Sequence, residues 1–329
     1  MRAQYIALMY PNGLPTNGVD SSVVGYSGRT LPTGCASITQ YTIASPGQRS
    51  GGDPQHTYLM YPAGTPRNEL VVFMCGHSGI SVYCTADEGN TIPSLLAAGY
   101  HVLACDTAAF DWALGPIGSH VVVGGTWTYS AGSWHNSGGT LTHFTEHEFN
   151  FGADGGPLAM LQFVHHVIVS TTTAIATLSP GRVLLAGHSG GGVCGHVVAA
   201  LDTRFSVFCS NCPALPYNQY RNYGNPADWE VYLVTEPYVN APYMIDIWGA
   251  LHLAASVQGR RTDVVSALND EYWTIRDSAL WHSDADTLSN LMAALGNTFT
   301  SWLDPAPFPQ HNMHAARVTR MLQILAGTL

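Results

Sequence analysis

Apolar residues fall along this chain in short runs separated by stretches of helical period. "TYLMYPAG" (57–64), "ELVVFMCG" (69–76) and "HVLACD" (101–106) are too short and too continuously apolar for surface helices, so they predict buried strands. Between the last two, "TIPSLLAAGY" (91–100) predicts a short helix stopped at Gly99. Further on the same rhythm returns: a helix over 154–178, a strand "RVLLAG" (182–187), a helix "GGVCGHVVAAL" (191–201) and a strand "FSVFCSN" (205–211). A helical segment over 242–259, a strand "TDVVSALND" (262–270), a helix over 287–299, a strand "TSWLD" (300–304) and an amphipathic helix from His314 complete the pattern. Strands alternating with crossover helices build a mostly parallel sheet covered on both faces, so the expected class is α/β.

Two regions break the rhythm. Residues 1–56 carry short alternating runs such as "YIALMY" and "ASITQYTIAS" among Gly, Pro, Ser and Thr, and are expected to form a β-rich extension packed on the core. Residues 57–329 then make the main domain, with insertions at 107–153 and 213–248; the first of these, rich in Gly, Trp, Ser and His, is expected to be an ordered excursion beside the sheet.

Composition narrows the function classes. A chain of 329 residues at 46% hydrophobic can bury one large core. The net charge of −10 leaves no basic face for phosphates, which argues against a nucleic-acid partner. All twelve basic residues are Arg, so no Lys is available as a Schiff base or general base. No run approaches the ~20 apolar residues of a membrane helix, and "MRAQYIALMYPNG" lacks the pattern of a secretory leader. A cytoplasmic protein or a trimmed secreted form is expected. The seven cysteines are odd in number and scattered, unlike a disulfide framework.

"RVLLAGHSGGGV" (182–193) crowds four glycines around one serine at a strand-to-helix junction. Gly187-His188-Ser189-Gly190-Gly191 satisfies G-x-S-x-G in the context that gives the pattern meaning. A turn that tight strains the serine backbone, leaves no room for side chains two residues away, and lifts Oγ above the sheet. The following helix starts at the serine, which aims unpaired N–H groups at any negative charge formed there and makes the Gly190 N–H a candidate oxyanion donor.

A serine hydroxyl needs a base and an orienting carboxylate, and on such a scaffold they follow it in the order acid, then histidine. Asp270 is the preferred acid because it closes the strand "DVVSALND" at its C-terminal end, where parallel sheets place functional groups. Asp246, Asp284, Asp286 and Asp304 compete from helical or polar sequence. "PFPQHNMHAARV" offers His311 and His314 as the base; His311 is preferred, since His314 falls where the last helix begins. A second oxyanion donor is sought in "CGHSGIS" (75–81), where the His77 N–H is the candidate and Ser78 the next.

Taken together these residues resemble a serine hydrolase of the α/β-hydrolase superfamily over about residues 57–329. "HSGGGVCGHVVAALDTRFSVFCSNCPALP" is similar to a less-studied branch in which S-G-G-G and a helix lead to L-D-x-R and a strand ending near Pro. There an aspartate follows an Arg-Arg-started strand, as in "RRTDVVSALND", and a histidine precedes the last helix, as in "HNMH". The resemblance implies the α/β-hydrolase fold and a Ser189, Asp270, His311 triad. "CGHSG" departs from the plain H-G-G of many esterases. The expected activity is hydrolysis of small-molecule or polymeric carboxylic esters through an acyl-enzyme, with no cofactor, no metal and no membrane partner. A serine peptidase or thioesterase on the same triad, or a binding module of the same fold, is the alternative.

Two other patterns carry less. His143-x-x-Glu146-His147 matches an inverted zinc-protease motif but stands among glycines, where a helix is not expected. Cys209-x-x-Cys212 is a single pair following a strand, read as a local disulfide or two free thiols. His165 and His166 are read as packing and surface residues of a helix.

Overall fold

The computed structural model describes residues 21–25, 30–43, 55–76, 80–105, 159–213, 259–270, 275–306 and 311–329, together with short strands between 110 and 140. The predicted apolar runs become the strands of one sheet. In chain order these are β1 (Ser21–Gly25), β2 (Cys35–Ile43), β3 (Gln55–Pro62), β4 (Glu69–Met74), β5 (His101–Cys105), β6 (Arg182–His188), β7 (Phe205–Asn211), β8 (Arg261–Ala267) and β9 (Thr298–Asp304). They form a nine-stranded sheet in the order β1-β2-β3-β5-β4-β6-β7-β8-β9. From β5 through β4 to β9 every pairing is parallel, whereas β1/β2, β2/β3 and β3/β5 are antiparallel. The strand "YIALMY" and residues 242–258 of the expected helix lie outside the described residues.

Helices cover both faces, which is why the central strands read as continuous apolar runs. Along β4, Leu70, Val72 and Met74 face one core cluster while Val71, Phe73 and Cys75 face the other. The first cluster is covered by α2 (Ala159–Leu178), α3 (Gly190–Leu201) and α4 (Ser278–Ala294); the second by α1 (Thr91–Ala97) and α5 (Ala315–Ala326). The chain leaving β4 thus turns to one face and the chain leaving β6, its neighbour, turns to the other. In open α/β sheets such a divergence marks the usual ligand position, here at the carboxyl ends of β4 and β6.

The bounds of β8, α4 and β9 differ from the sequence expectation in ways that bear on the site. β8 ends at Ala267, opposite Asp304, so Asp270 stands three residues beyond the strand and does not close it. The physical reason is the partner: β9 stops before Pro305, which has no N–H to extend a ladder. The helix expected over 287–299 runs instead from Ser278 to Ala294. The Asp277 carboxylate accepts the Leu280 N–H at 2.9 Å and caps its start, Gly296 at φ 75° ends the helical turn, and Thr298 and Phe299 belong to β9.

Between 110 and 140, Ser119–Val122, Gly125–Ser130, Ser133–Asn136 and Gly139–Thr140 form a four-stranded antiparallel sheet, and Phe110–Asp111 pairs with Gly115–Pro116. Among the described residues no helix is long and apolar enough to cross a membrane.

Candidate active site

Ser189 stands between β6 and α3 with φ 55° and ψ −129°, a conformation that costs a non-glycine residue about 1–3 kcal/mol. The turn is held on both sides: the Ser189 N–H donates to the Asn211 carbonyl at 2.9 Å, and its carbonyl accepts from the Val193 N–H at 3.0 Å. Two glycines make this bend possible. A Cβ on Gly187 would strike the Gly191 backbone, and one on Gly191 would strike the Met74 carbonyl of β4. Gly76, just past β4, lies so close that its own Cβ would be 2.8 Å from the Ser189 Cβ. Ser189 therefore sits between the carboxyl ends of β4 and β6, and only 8% of it is exposed.

His311 reaches this serine from the segment before α5. Its Nε2 is 2.7 Å from Ser189 Oγ, and its Nδ1 is 2.9 Å and 3.1 Å from the two carboxylate oxygens of Asp270. A carboxylate only accepts, so Nδ1 carries the proton and Nε2 is left as the acceptor of the serine hydroxyl. Asp270 is 2% exposed. The three residues singled out from sequence on separate loops are thus joined in one hydrogen-bonded chain, able to draw a proton from Oγ.

The competing residues are placed elsewhere. His314 is the N-cap residue of α5; its Nε2 donates to the Asp304 carboxylate at 2.6 Å, away from Ser189. Asp304 also accepts from Arg317 Nε at 2.8 Å. Burial pushes the Asp304 carboxyl up, yet the Ala306 N–H, the Arg317 guanidinium and His314 outweigh it and hold it below the ordinary value. Asp284 and Asp286 lie on α4. Gly190 opens α3, so its N–H precedes the first intrahelical bond. His77, Ser78, Asp246 and the His143, Glu146, His147 pattern lie outside the described residues.

Four residues to which the sequence assigns no role surround this chain of bonds. His188 Nε2 donates to the His311 carbonyl at 2.6 Å, and its Nδ1 is 2.7 Å from the Tyr83 hydroxyl. Tyr83 in turn accepts the Gly76 N–H at 2.9 Å. Glu88 accepts the Met313 N–H at 2.6 Å. Desolvation raises the Glu88 carboxyl above its usual value, with the Met313 N–H opposing it. Arg317, fully buried, donates to the Asn312 carbonyl and to Cys212 Sγ, each at 2.8 Å.

Cys209 and Cys212 are both buried free thiols. Burial raises the Cys212 thiol well above its usual value, against the pull of Arg317. Its Sγ lies with ligand atoms of Asp270 and His311 inside 4.8 Å, a grouping that matches soft-metal donors. The Arg317 guanidinium already bonds that sulfur and brings a positive charge to the spot a cation would need, and the Asp270 carboxylate is engaged by His311.

No protein-family model and no curated protein matches the chain. Solved structures do. An acetyl xylan esterase from Thermoanaerobacterium sp. JW/SL YS485 aligns over 99% of this chain and 92% of its own at TM-score 0.54 and 14% identity. A methylesterase aligns over 99% of this chain and 61% of its own at TM-score 0.58 and 12% identity. An acetyl xylan esterase from Paenibacillus sp. R4 aligns over 100% of this chain and 93% of its own at TM-score 0.51 and 15% identity. At such identities the likeness is one of fold.

Proposed function

We propose that this chain, which has the α/β-hydrolase fold, hydrolyses carboxylic esters with Ser189 as nucleophile, His311 as general base and acid, and Asp270 as the group that orients the imidazole. The observation that carries the reading is the unbroken path Asp270 to His311 Nδ1, then His311 Nε2 to Ser189 Oγ, at 2.9 Å and 2.7 Å. Water alone leaves a serine hydroxyl a poor nucleophile. A base in contact with it, itself held by a buried carboxylate, removes that barrier.

In this mechanism Ser189 Oγ attacks the ester carbonyl carbon as its proton passes to His311 Nε2. The negative charge that forms on the carbonyl oxygen is met by the N–H of Gly190 at the start of α3 and by that of His77, which follows Gly76 beside the serine. The Gly76 N–H is already committed to Tyr83 and is not a donor. His311 then returns the proton to the alcohol as the C–O bond breaks, leaving an acyl-Ser189. Water, deprotonated by the same imidazole, releases the acid and restores the hydroxyl. Preorganised donors of this kind are worth about 3–4 kcal/mol each in acyl transfer, so no metal or organic cofactor is required by the chemistry.

The neighbouring structures named acetyl xylan esterase and methylesterase direct the first substrates toward small acyl and small alcohol groups. The test is a panel of p-nitrophenyl esters of rising acyl length, with Ser189→Ala as control. Turnover by the wild type that disappears in a folded Ser189→Ala protein supports the reading. Equal turnover by both proteins overturns it.

A further inference from the structure

The base of this site is held through its main chain as well as its ring. Met313 N–H is tied to Glu88, the Asn312 carbonyl to Arg317, and the His311 carbonyl to His188. Of these ties only the last comes from a residue beside Ser189, since His188 is the variable position of the Gly187-His188-Ser189-Gly190-Gly191 turn. His188 is 1% exposed, and its ring centroid lies 5.1 Å from that of His311.

The protonation of His188 follows from its partners. A carbonyl oxygen only accepts, so Nε2 carries a proton. The Gly76 N–H occupies a lone pair on the Tyr83 oxygen, and Tyr83 has its own proton to give. Burial pushes the Tyr83 hydroxyl well above its ordinary pKa, which keeps that proton in place. Given to Nδ1 at 2.7 Å, it completes a neutral, directed relay from Gly76 through Tyr83 and His188 to His311. The Glu88 carboxylate lies 3.9 Å from Nδ1, beyond a hydrogen bond.

We propose that His188 is a positioning residue for His311: locked by Tyr83 as the Nε2–H tautomer, it fixes the main chain of the base relative to the serine that follows it in sequence. The relay also begins at Gly76, one residue before the proposed donor His77. The inference rests on reading His311 as the base.

Substitutions that differ in reach test it. A Gln amide nitrogen falls near the position of imidazole Nε2, an Asn amide nitrogen near that of Nδ1, and Leu offers neither. His188→Leu and His188→Asn are expected to lower kcat roughly 10- to 100-fold, the usual penalty for misplacing a catalytic group by about 1 Å, with KM within about twofold. His188→Gln is expected to recover most of the loss, to within about threefold of wild type. Tyr83→Phe, which frees the tautomer without touching the base loop, is expected to fall between. The rate of Ser189 labelling by a fluorophosphonate should follow the same order. The downfield proton NMR signal of His311 Nδ1–H should move in the Leu variant and return in the Gln variant. Where His188→Leu does not fold, the Gln and Asn pair decides. Equal kcat and equal labelling in the Gln and Asn variants, or wild-type values in a folded Leu variant, overturn the proposal. Wild-type protein that labels at Ser189 but turns over no ester would sink the ester reading and leave the labelling comparison among variants intact.

Discussion

Gly191→Ala tests the bend that presents the serine. A Cβ at that position would meet two backbone oxygens of the β4 end, Met74 and Cys75, far inside the 3.4–4 Å of ordinary contact. Both obstacles are main chain of a central strand, so no side-chain rotation relieves them. The start of α3 must retreat by about 1 Å, and overpacking of that kind costs about 1–3 kcal/mol. With total stabilities of roughly 5–15 kcal/mol the variant still folds, with Tm lowered by several degrees. Ser189, two residues earlier, moves with the helix and opens its 2.7 Å contact to His311 Nε2. Activity should fall about 100-fold, read as kcat on p-nitrophenyl acetate, with calorimetry for Tm. Gly64→Ala is the control, because nothing lies within 4 Å of a Cβ there. A Gly191→Ala protein with wild-type kcat and wild-type Tm would refute the packing argument.

Other outcomes follow from the same geometry. Asp270→Asn cannot accept from Nδ1–H with a charged oxygen and favours the wrong tautomer, so kcat should drop about 10³- to 10⁴-fold while circular dichroism stays unchanged. Arg260, 1% exposed, donates to the Phe205 and Asp202 carbonyls at 2.9 Å and 2.8 Å, so Arg260→Met should lower stability by about 3–5 kcal/mol in urea unfolding. Glu88 has its folded carboxyl raised by burial, so its contribution is full below about 4.5 and is lost as pH rises through the elevated folded value. Across that window the wild type should lose urea stability that Glu88→Gln, whose amide oxygen still accepts from Met313, does not lose.

How much of this was legible in the sequence varies with the kind of signal. β4 and β6 carry unbroken apolar runs, and the glycines around Ser189 are dictated by main-chain collisions; both are local and can be read from single residues. Asp270 and His311 are candidates by type and order, and the structure brings both side chains into one line with Ser189, although the end of β8 depends on where β9 runs out, at Pro305, which periodicity within β8 does not reveal. The start of α4 was hidden because "SALWHSDAD" reads as polar, yet Trp281, Ala285, Leu288 and Met292 are its buried stripe and Asp277 its cap. Tyr83, Glu88 and Arg317 belong to no motif, and His188 fills a variable position of one, so the sequence assigns none of them a role. They meet only after the chain has crossed the sheet, with up to 225 residues between partners.

One imidazole, that of His311, activates one hydroxyl, that of Ser189, in the proposed reaction. Treating wild type, His311→Ala and His314→Ala with a fluorophosphonate and mapping the adduct by peptide mass gives the most direct reading. The expected result is a single adduct on Ser189, formed at the wild-type rate in His314→Ala and more than about 100-fold slower in His311→Ala. An adduct on another residue, an unchanged rate in folded His311→Ala, or a loss confined to His314→Ala would contradict it.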